Sequence, residues 1–275
     1  MTIPSLILRP GQPPEYGSYS VGSFSELPGH EPDGVYTIAR TYGGNACIHL
    51  DAHLDRLEES ARLSGSPFSI DRHNLREGLR ALIQSTGYPE TRFRITIPFN
   101  NLSTVILAAE PLQLVPDELR ASGVFVTTCE GARSIPRAKR NDWLQQRQAI
   151  RKRLPPDCYE GIIRNKDGLL LEGLSSNFYA IIKGTLYTAE ENILHGITRR
   201  VVLELADGLL SIQYKPIHQA LLPELDEAFL TSSSREVLSI VCIDGKNVSD
   251  GKPGPFTRDI ANRYHAWVEA HLEQI

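Results

Sequence analysis

The chain has 275 residues, of which 41% are hydrophobic and 23% charged, and its formal net charge is −4. This composition excludes intrinsic disorder, collagen and a disulfide scaffold, and it predicts one large or two medium globular domains. The slight acidity argues against nucleic acid as the main partner, because phosphate binding requires a clustered positive surface.

The N-terminal part of the chain mixes strand and helix patterns. Residues 1–34 are rich in Gly, Pro and Ser and are predicted to be irregular. The elements that alternation and helical spacing predict next are a hairpin (35–41 and 45–50), two amphipathic helices (52–65 and 71–86) and two strands (92–99 and 103–112). The short polar segment 116–123 is predicted to be a linker.

The C-terminal part is richer in strands. The patterns predict, in order, a strand (124–130), a helix (141–154), a strand–turn–strand unit (161–173), a hairpin around Lys183-Gly184 (177–189), a turn into a helix (196–208) and further strands around a Ser-rich turn (226–248). Because helices and hairpins mix without a βαβ rhythm, the predicted fold class is α+β.

The four cysteines are scattered, with no spacing typical of a metal site. We therefore expect reduced thiols, no metal and a cytoplasmic location. The first residues lack the pattern of a signal peptide, and no apolar run approaches the ~20 residues that span a bilayer, so no membrane partner is expected.

Two segments have the form of anion-binding turns. In GITRR, Gly196 permits a tight turn and Thr198 is predicted as the N-cap of a helix whose free N–H groups attract anions. In TSSSREV, Ser233 and Glu236 fit a capping box, and the hydroxyl groups could donate to an oxyanion. Taken alone, both segments are more typical of capped structural turns than of binding sites.

Several charged residues could bind ligands or serve the structure alone. Arg56 could pair on its own helix or bind a phosphate, and Lys139 stands among cations that favour its neutral amine. Glu172 interrupts an apolar strand, so it either faces solvent or serves a buried cation. Arg92 and Arg94 share one strand face, where they could bind a carboxylate or simply be solvated.

The order of these motifs resembles the class IV aminotransferases. The segments that carry the resemblance are DGVYTIARTY (33–42), HLDRLEESARL (53–63), AKRNDWL (138–144), DGLLLEGLSSNFYAI (167–181), LHGITRRVVLELA (194–206) and DEAFLTSSSREV (226–237). The most specific feature is an E-x-x-x-x-N block (172–177) followed by a G-I-T-R block (196–199).

The resemblance implies a fold-type IV enzyme that binds pyridoxal 5'-phosphate between a small N-terminal α/β domain (1–118) and a larger, β-rich C-terminal domain (119–275). It also implies a homodimer. By position, Lys139 matches the Schiff-base lysine and Glu172 the carboxylate that partners the pyridine nitrogen. The positions that match the phosphate-binding set are Arg56, Ile197, Thr198, Ser232 and Ser233. The residues expected to contact the substrate are Tyr36, Arg40, Arg92 and Arg94.

The resemblance further implies a transaminase that moves the amino group of a branched-chain or D-amino acid to a 2-oxo acid such as 2-oxoglutarate, by a ping-pong mechanism. Two alternatives use the same fold: a lyase of the aminodeoxychorismate type, and a relative without catalytic activity. The sequence leaves the hand of the substrate open.

Overall fold

The computed structural model describes residues 2–275, which divide into two compact units. The first unit comprises residues 2–113, Ala138–Gln148 and His271–Ile275, and the second comprises Leu114–Arg137 and Ala149–Ala270. Helices and strands are mixed in both units, which agrees with the predicted α+β class. The predicted boundary between residues 118 and 119 stays a prediction.

The strands are β1 (Ile3–Leu8), β2 (Glu15–Tyr19), β3 (Gly34–Arg40), β4 (Ala46–Cys47), β5 (Thr91–Pro98), β6 (Val105–Pro111), β7 (Val124–Glu130), β8 (Glu160–Arg164), β9 (Leu170–Gly173), β10 (Asn177–Ile182), β11 (Thr185–Tyr187), β12 (Ser211–Gln213), β13 (Glu227–Ser232), β14 (Glu236–Ile243), β15 (Lys246–Asn247) and β16 (Glu273–Gln274). The α-helices are α1 (Leu50–Leu63), α2 (Arg72–Thr86), α3 (Asp117–Ser122), α4 (Asp142–Arg151), α5 (Ile197–Ala206) and α6 (Pro255–Ala270).

The first unit is built on an antiparallel sheet in the order β2-β1-β6-β5-β3. Helices α1 and α2 cover one face, because Leu54 and Leu57 of α1 and Leu75 and Leu79 of α2 recur at helical spacing and are fully buried there. The Asp71 side chain caps α2 by accepting from Asn74 N at 3.0 Å. Both predicted helices are confirmed.

Two predictions for this unit were wrong. The segment expected to be irregular contains β1 and β2. Strand β1 pairs with β6 mostly through apolar residues, and the composition of the segment does not reveal this distant partner. The expected hairpin 35–41/45–50 does not form: β3 pairs with β5 instead, β4 is reduced to two residues, and α1 already begins at Leu50. Long-range pairing outweighed the local turn signal of Gly43-Gly44.

The second unit is built on a larger sheet in the order β12-β11-β10-β13-β14-β7-β8-β9. Strand β9 also pairs with β10, through Glu172 opposite Asn177, so six of these strands close into a ring. Helices α5 and α6 pack against β13 and β14. The predicted hairpin at Lys183-Gly184 is confirmed, with both residues at positive φ. The predicted linker 116–123 contains the short helix α3.

Within residues 2–275, no helix is long and apolar enough to cross a membrane.

Candidate active site

The segment that carries Lys139 is fastened to the edge strand β3. The Tyr36 N–H donates to the Lys139 carbonyl at 2.9 Å, and the Asn141 N–H donates to the Gly34 carbonyl at 3.0 Å. The Lys139 N–H donates in turn to the Ser60 hydroxyl of α1 at 3.1 Å. The backbone of this lysine is therefore positioned by both a strand and a helix of the first unit.

The Lys139 side chain lies beside an aromatic ring. Its Nζ is 5.0 Å from the centroid of Tyr36, within the range of a cation–π contact. The Tyr36 ring also carries the guanidinium of Arg94, whose Cζ is 3.9 Å from the same centroid. The structure thus brings the predicted Schiff-base lysine and two predicted substrate residues together.

Arg56 projects from α1 toward β3. Its Nη2 donates to Thr37 Oγ1 at 3.0 Å, and this Nη2 is also 3.4 Å from the Nδ1 of His53. The acidic neighbours on its own helix have other partners, since Asp55 pairs with Arg72 and Glu59 with Arg62.

The predicted substrate arginines share one face of the first sheet. Arg40 lies opposite Arg92 in the β3–β5 register, and Arg94 is two residues further along β5. Each has a carboxylate partner, which is Glu90 for Arg40, Glu110 for Arg92 and Glu31 for Arg94. The charges of these three arginines are therefore balanced within the unit.

Arg94 is the most deeply buried of these three arginines. Arg94 is fully buried, its Nη2 lies 2.6 Å from Glu31 Oε2, and Nη2 also donates to Asn141 Oδ1 at 2.6 Å. Its Nη1 has no hydrogen-bond partner within residues 2–275. Burial, together with the Glu31 carboxylate, raises the pKa of the neighbouring Tyr19.

Glu172 lies in β9 of the second unit and is buried. Its Oε1 accepts from Arg133 Nε at 2.6 Å, and its Oε2 accepts from the Leu194 N–H at 3.1 Å. Of the two alternatives for a carboxylate in an apolar strand, the structure shows the buried one with a cation partner.

Helix α5 begins with the predicted anion turn. Its N-cap is Gly196, and Ile197 and Thr198 form its first turn, so the prediction that Thr198 is the N-cap was wrong by two positions. The glycine has no side chain with which to bond the first N–H groups of α5. Arg199 in the same turn is buried, pairs with Glu190 at 2.6 Å, and its Nε has no hydrogen-bond partner within the described chain.

The Ser-rich turn is part of a β-hairpin. Ser232 ends β13 opposite Glu236, which begins β14 at a φ of 61°, so the predicted capping box at Ser233 and Glu236 does not form. The reason is that no helix follows: the chain continues as a strand. Ser232 Oγ instead accepts from the Arg235 backbone N–H at 3.3 Å and from its Nε at 3.1 Å.

Beneath this turn lies a buried ion pair. Arg235 Nη1 is 2.7 Å from Oε2 of Glu160, whose side chain is fully buried. Burial alone would raise the pKa of Glu160, but attraction to Arg235 and hydrogen bonds from Arg235 and Ser175 outweigh it and lower that pKa. Arg235 also donates to the Ser175 carbonyl at 2.9 Å, so the pair ties the Ser-rich turn to the turn after β9.

The predicted residues therefore form two groups. Those of the first unit are Tyr36, Arg40, Arg56, Arg92, Arg94 and Lys139. Those of the second unit are Glu172, Ile197, Thr198, Ser232 and Ser233. No cluster of three His, Cys, Asp or Glu residues that could hold a metal ion occurs between residues 2 and 275.

Sequence reasoning missed several residues that orient these groups. They are Ser60, Arg133, Asn141, Asn177 and Arg235. Asn177 alone carried a signal, as the last residue of the E-x-x-x-x-N block. The others contact site residues through pairings that no local spacing reveals.

Comparison with known proteins gives a consistent result. The sequence model of the family Amino-transferase class IV matches residues 34–243. D-alanine aminotransferase from Bacillus licheniformis is 29% identical over 243 residues, covering 83% of this chain and 85% of that protein. Branched-chain-amino-acid aminotransferase from Pseudomonas aeruginosa is 27% identical over 270 residues, covering 89% and 88%. The crystal structure of a T.th. branched-chain amino acid aminotransferase with pyridoxamine 5'-phosphate is 22% identical and covers 98% of both chains, with a TM-score of 0.80.

Since the family match spans most of the chain, the protein belongs to the class IV aminotransferases. It is therefore an enzyme that transfers amino groups. The structural likeness confirms the predicted fold-type IV architecture.

Proposed function

We propose that this aminotransferase uses pyridoxal 5'-phosphate to move the amino group of a branched-chain or D-amino acid to a 2-oxo acid such as 2-oxoglutarate, in a ping-pong cycle. The observation that carries the proposal is Glu172, a buried carboxylate that accepts from the backbone just before the anion turn of α5. Relatives named for both types of amino acid support the substrate class. The bound pyridoxamine 5'-phosphate of the T.th. enzyme supports the cofactor.

The residues of the second unit suit a phosphorylated pyridine. A dianionic phosphate needs N–H groups and hydroxyls that are available to donate hydrogen bonds. The start of α5, which no side chain caps, can supply backbone N–H groups, and Thr198 and Ser233 can supply hydroxyls. The Nε of the buried Arg199, whose charge Glu190 balances, offers one more N–H donor in the same first turn. We propose that Arg56 of the first unit also contacts the phosphate.

The chemistry divides between cofactor and protein. When bound, pyridoxal 5'-phosphate draws electrons away from the substrate Cα, which acidifies the proton on that carbon. Glu172 would hold a proton on the pyridine nitrogen, because a negative group nearby favours the charged ring. Lys139 would first attach the cofactor and then, once its amine is released, would remove the substrate Cα proton as a base and deliver it as an acid to the C4′ carbon of the cofactor.

We propose that Arg94 binds the substrate carboxylate, with Arg40, Arg92 and Tyr36 nearby on the same sheet face. Its unpartnered Nη1 is a donor that lacks an acceptor, and its bond to Asn141 keeps it near the lysine segment. Because Glu31 balances its charge, this handle would act through directed hydrogen bonds rather than through net charge.

We further propose that the enzyme is a homodimer in the cytoplasm. Four free cysteines, none in a disulfide, are typical of a reducing compartment. Sedimentation of the purified protein at several concentrations tests the assembly, and a monomer at all of them would contradict it.

An absorption spectrum of the purified protein tests the function. We expect a visible cofactor band that Lys139→Ala abolishes and that the exposed-lysine control Lys152→Ala leaves in place. Adding L- and D-amino acids one at a time should bleach the band for the true substrates, and a 2-oxo acid should restore it.

Three results would contradict the proposal. Absence of the band after incubation with pyridoxal 5'-phosphate would show that the protein does not bind it. A band that no amino acid bleaches would indicate a relative without catalytic activity. Release of pyruvate without an amino acceptor would indicate the lyase.

A further inference from the structure

The backbone of Leu194 is held from both sides by the E-x-x-x-x-N block. Its N–H donates to Glu172 Oε2 at 3.1 Å, and its carbonyl accepts from Asn177 Nδ2 at 2.8 Å. Glu172 is 2% and Asn177 5% exposed, so water does not compete strongly for these bonds. The two side chains thus hold a single residue of the loop that leads into α5.

The position of Asn177 explains why these two residues act together. Glu172 and Asn177 lie directly opposite each other where β9 meets β10, which is the pairing that closes the ring of strands. Side chains of directly opposed residues in an antiparallel pair point to the same face. The carboxylate and the amide are therefore neighbours on one face of a closed sheet.

Asn177 also sets the start of α5. A Cβ added to Gly196, the N-cap, would stand 2.3 Å from Asn177 Oδ1. The amide oxygen occupies the space that any other residue at the N-cap would need. One side chain thus supports the carboxylate through Leu194 and packs against the helix start at Gly196.

We propose that Asn177 is a positioning residue that fixes the carboxylate of Glu172 and the N-terminus of α5 relative to each other. This rests on the proposed function, in which Glu172 faces the pyridine nitrogen and α5 faces the phosphate of one cofactor. In this role Asn177 does not itself bind the pyridine nitrogen or the phosphate, and it acts by keeping Glu172 and the start of α5 at the spacing that a single pyridoxal phosphate molecule requires.

The experiment measures three dissociation constants for the cofactor-free enzyme, with pyridoxal 5'-phosphate, with pyridoxal and with inorganic phosphate. Asn177→Ala leaves the buried Leu194 carbonyl without its donor, so we expect all three affinities to fall, that for pyridoxal 5'-phosphate by about tenfold or more. Asn177→Thr suits a strand and cannot reach Leu194, so it serves as a second variant of similar volume.

Two comparisons separate positioning from general loss of structure. In a Glu172→Ala background, Asn177→Thr should no longer change the affinity for pyridoxal, because that effect passes through the Glu172 carboxylate. The same substitution should still lower the affinity for inorganic phosphate, because that effect passes through the start of α5. The control is Asn101→Ala, since Asn101 Oδ1 also accepts from a backbone N–H group, that of Ser103, but in a turn of the first unit. It should alter the urea midpoint and leave all three affinities unchanged.

The outcomes are distinct. A wild-type enzyme that binds no pyridoxal 5'-phosphate overturns the proposed function. A wild-type enzyme that binds it, with Asn177→Thr folded and unchanged in all three affinities, overturns only the role of Asn177. Equal weakening of pyridoxal with and without Glu172 also overturns that role, because the effect then does not pass through the carboxylate.

Discussion

Replacing Arg235 by methionine should strip the charge partner from a fully buried carboxylate. Glu160 has no solvent exposure, and Arg235 Nη1 lies 2.7 Å from its Oε2. The remaining hydrogen-bond donors to this carboxylate are neutral: Ser175 Oγ at 2.8 Å, the Gly161 N–H at 3.3 Å and Ser176 Oγ at 3.4 Å. Arg151 stands 4.0 Å away, but more than half of its side chain is exposed, so it compensates weakly.

We expect Arg235→Met to lower the free energy of unfolding by about 3–5 kcal/mol, the typical cost of leaving a buried charge unpaired. Glu160→Gln combined with Arg235→Met should recover most of this loss, because the neutral amide keeps a similar shape without the buried charge. Arg62→Met removes an exposed i,i+3 pair with Glu59 and should leave the free energy of unfolding nearly unchanged, because solvent screens such a pair.

Urea unfolding of the cofactor-free enzyme, followed by circular dichroism across pH, measures these differences. The pKa of Glu160 is lowered by folding, so the unfolded chain binds its proton more tightly and this contribution is complete above about pH 4.5. As the pH falls through the folded pKa the contribution is lost, and the gap between wild type and Arg235→Met should narrow. A loss below 1 kcal/mol at neutral pH, or a gap that widens in acid, would refute the reasoning.

Three further predictions follow from burial and from the sheet face of the first unit. Leu57→Ala, at a fully buried position of α1, should destabilise the protein by about 2–5 kcal/mol in urea, and a smaller loss would mean that the helix packs loosely. Burial raises the pKa of Cys47 and of Cys129 to about 12, so iodoacetamide at pH 8 should label both slowly in the folded protein and rapidly in urea, as read by peptide mass spectrometry. Arg94→Ala should raise the KM for the amino acid and 2-oxo acid substrates about tenfold or more, while the exposed control Arg62→Ala should leave it unchanged. An unchanged KM in Arg94→Ala would exclude Arg94 as the residue that binds the substrate carboxylate.

Local sequence patterns were enough to predict the elements whose stability is local. Helices α1 and α2 show apolar residues at helical spacing, with a capping Asp71 for the second, and Lys183-Gly184 supplies the positive φ values of a tight hairpin. In each case the residues that stabilise the element lie within a few positions of one another. The ordered motifs also predicted the family.

The tertiary structure decided which strands meet and which charges pair. Strand β1 was hidden in a Gly- and Pro-rich segment because its partner, β6, lies about a hundred residues away. The partners Arg133 of Glu172 and Arg235 of Glu160 are 39 and 75 positions distant in sequence.

No spacing in the sequence predicts these ion pairs. Each forms because a charge that the folded sheet buries without a partner would cost free energy. The sequence by itself therefore determined the local elements and the chemical groups of the candidate site. Long-range pairing determined how each group is held, because the free energy that orients a buried charge comes from a partner that only the folded chain brings within reach.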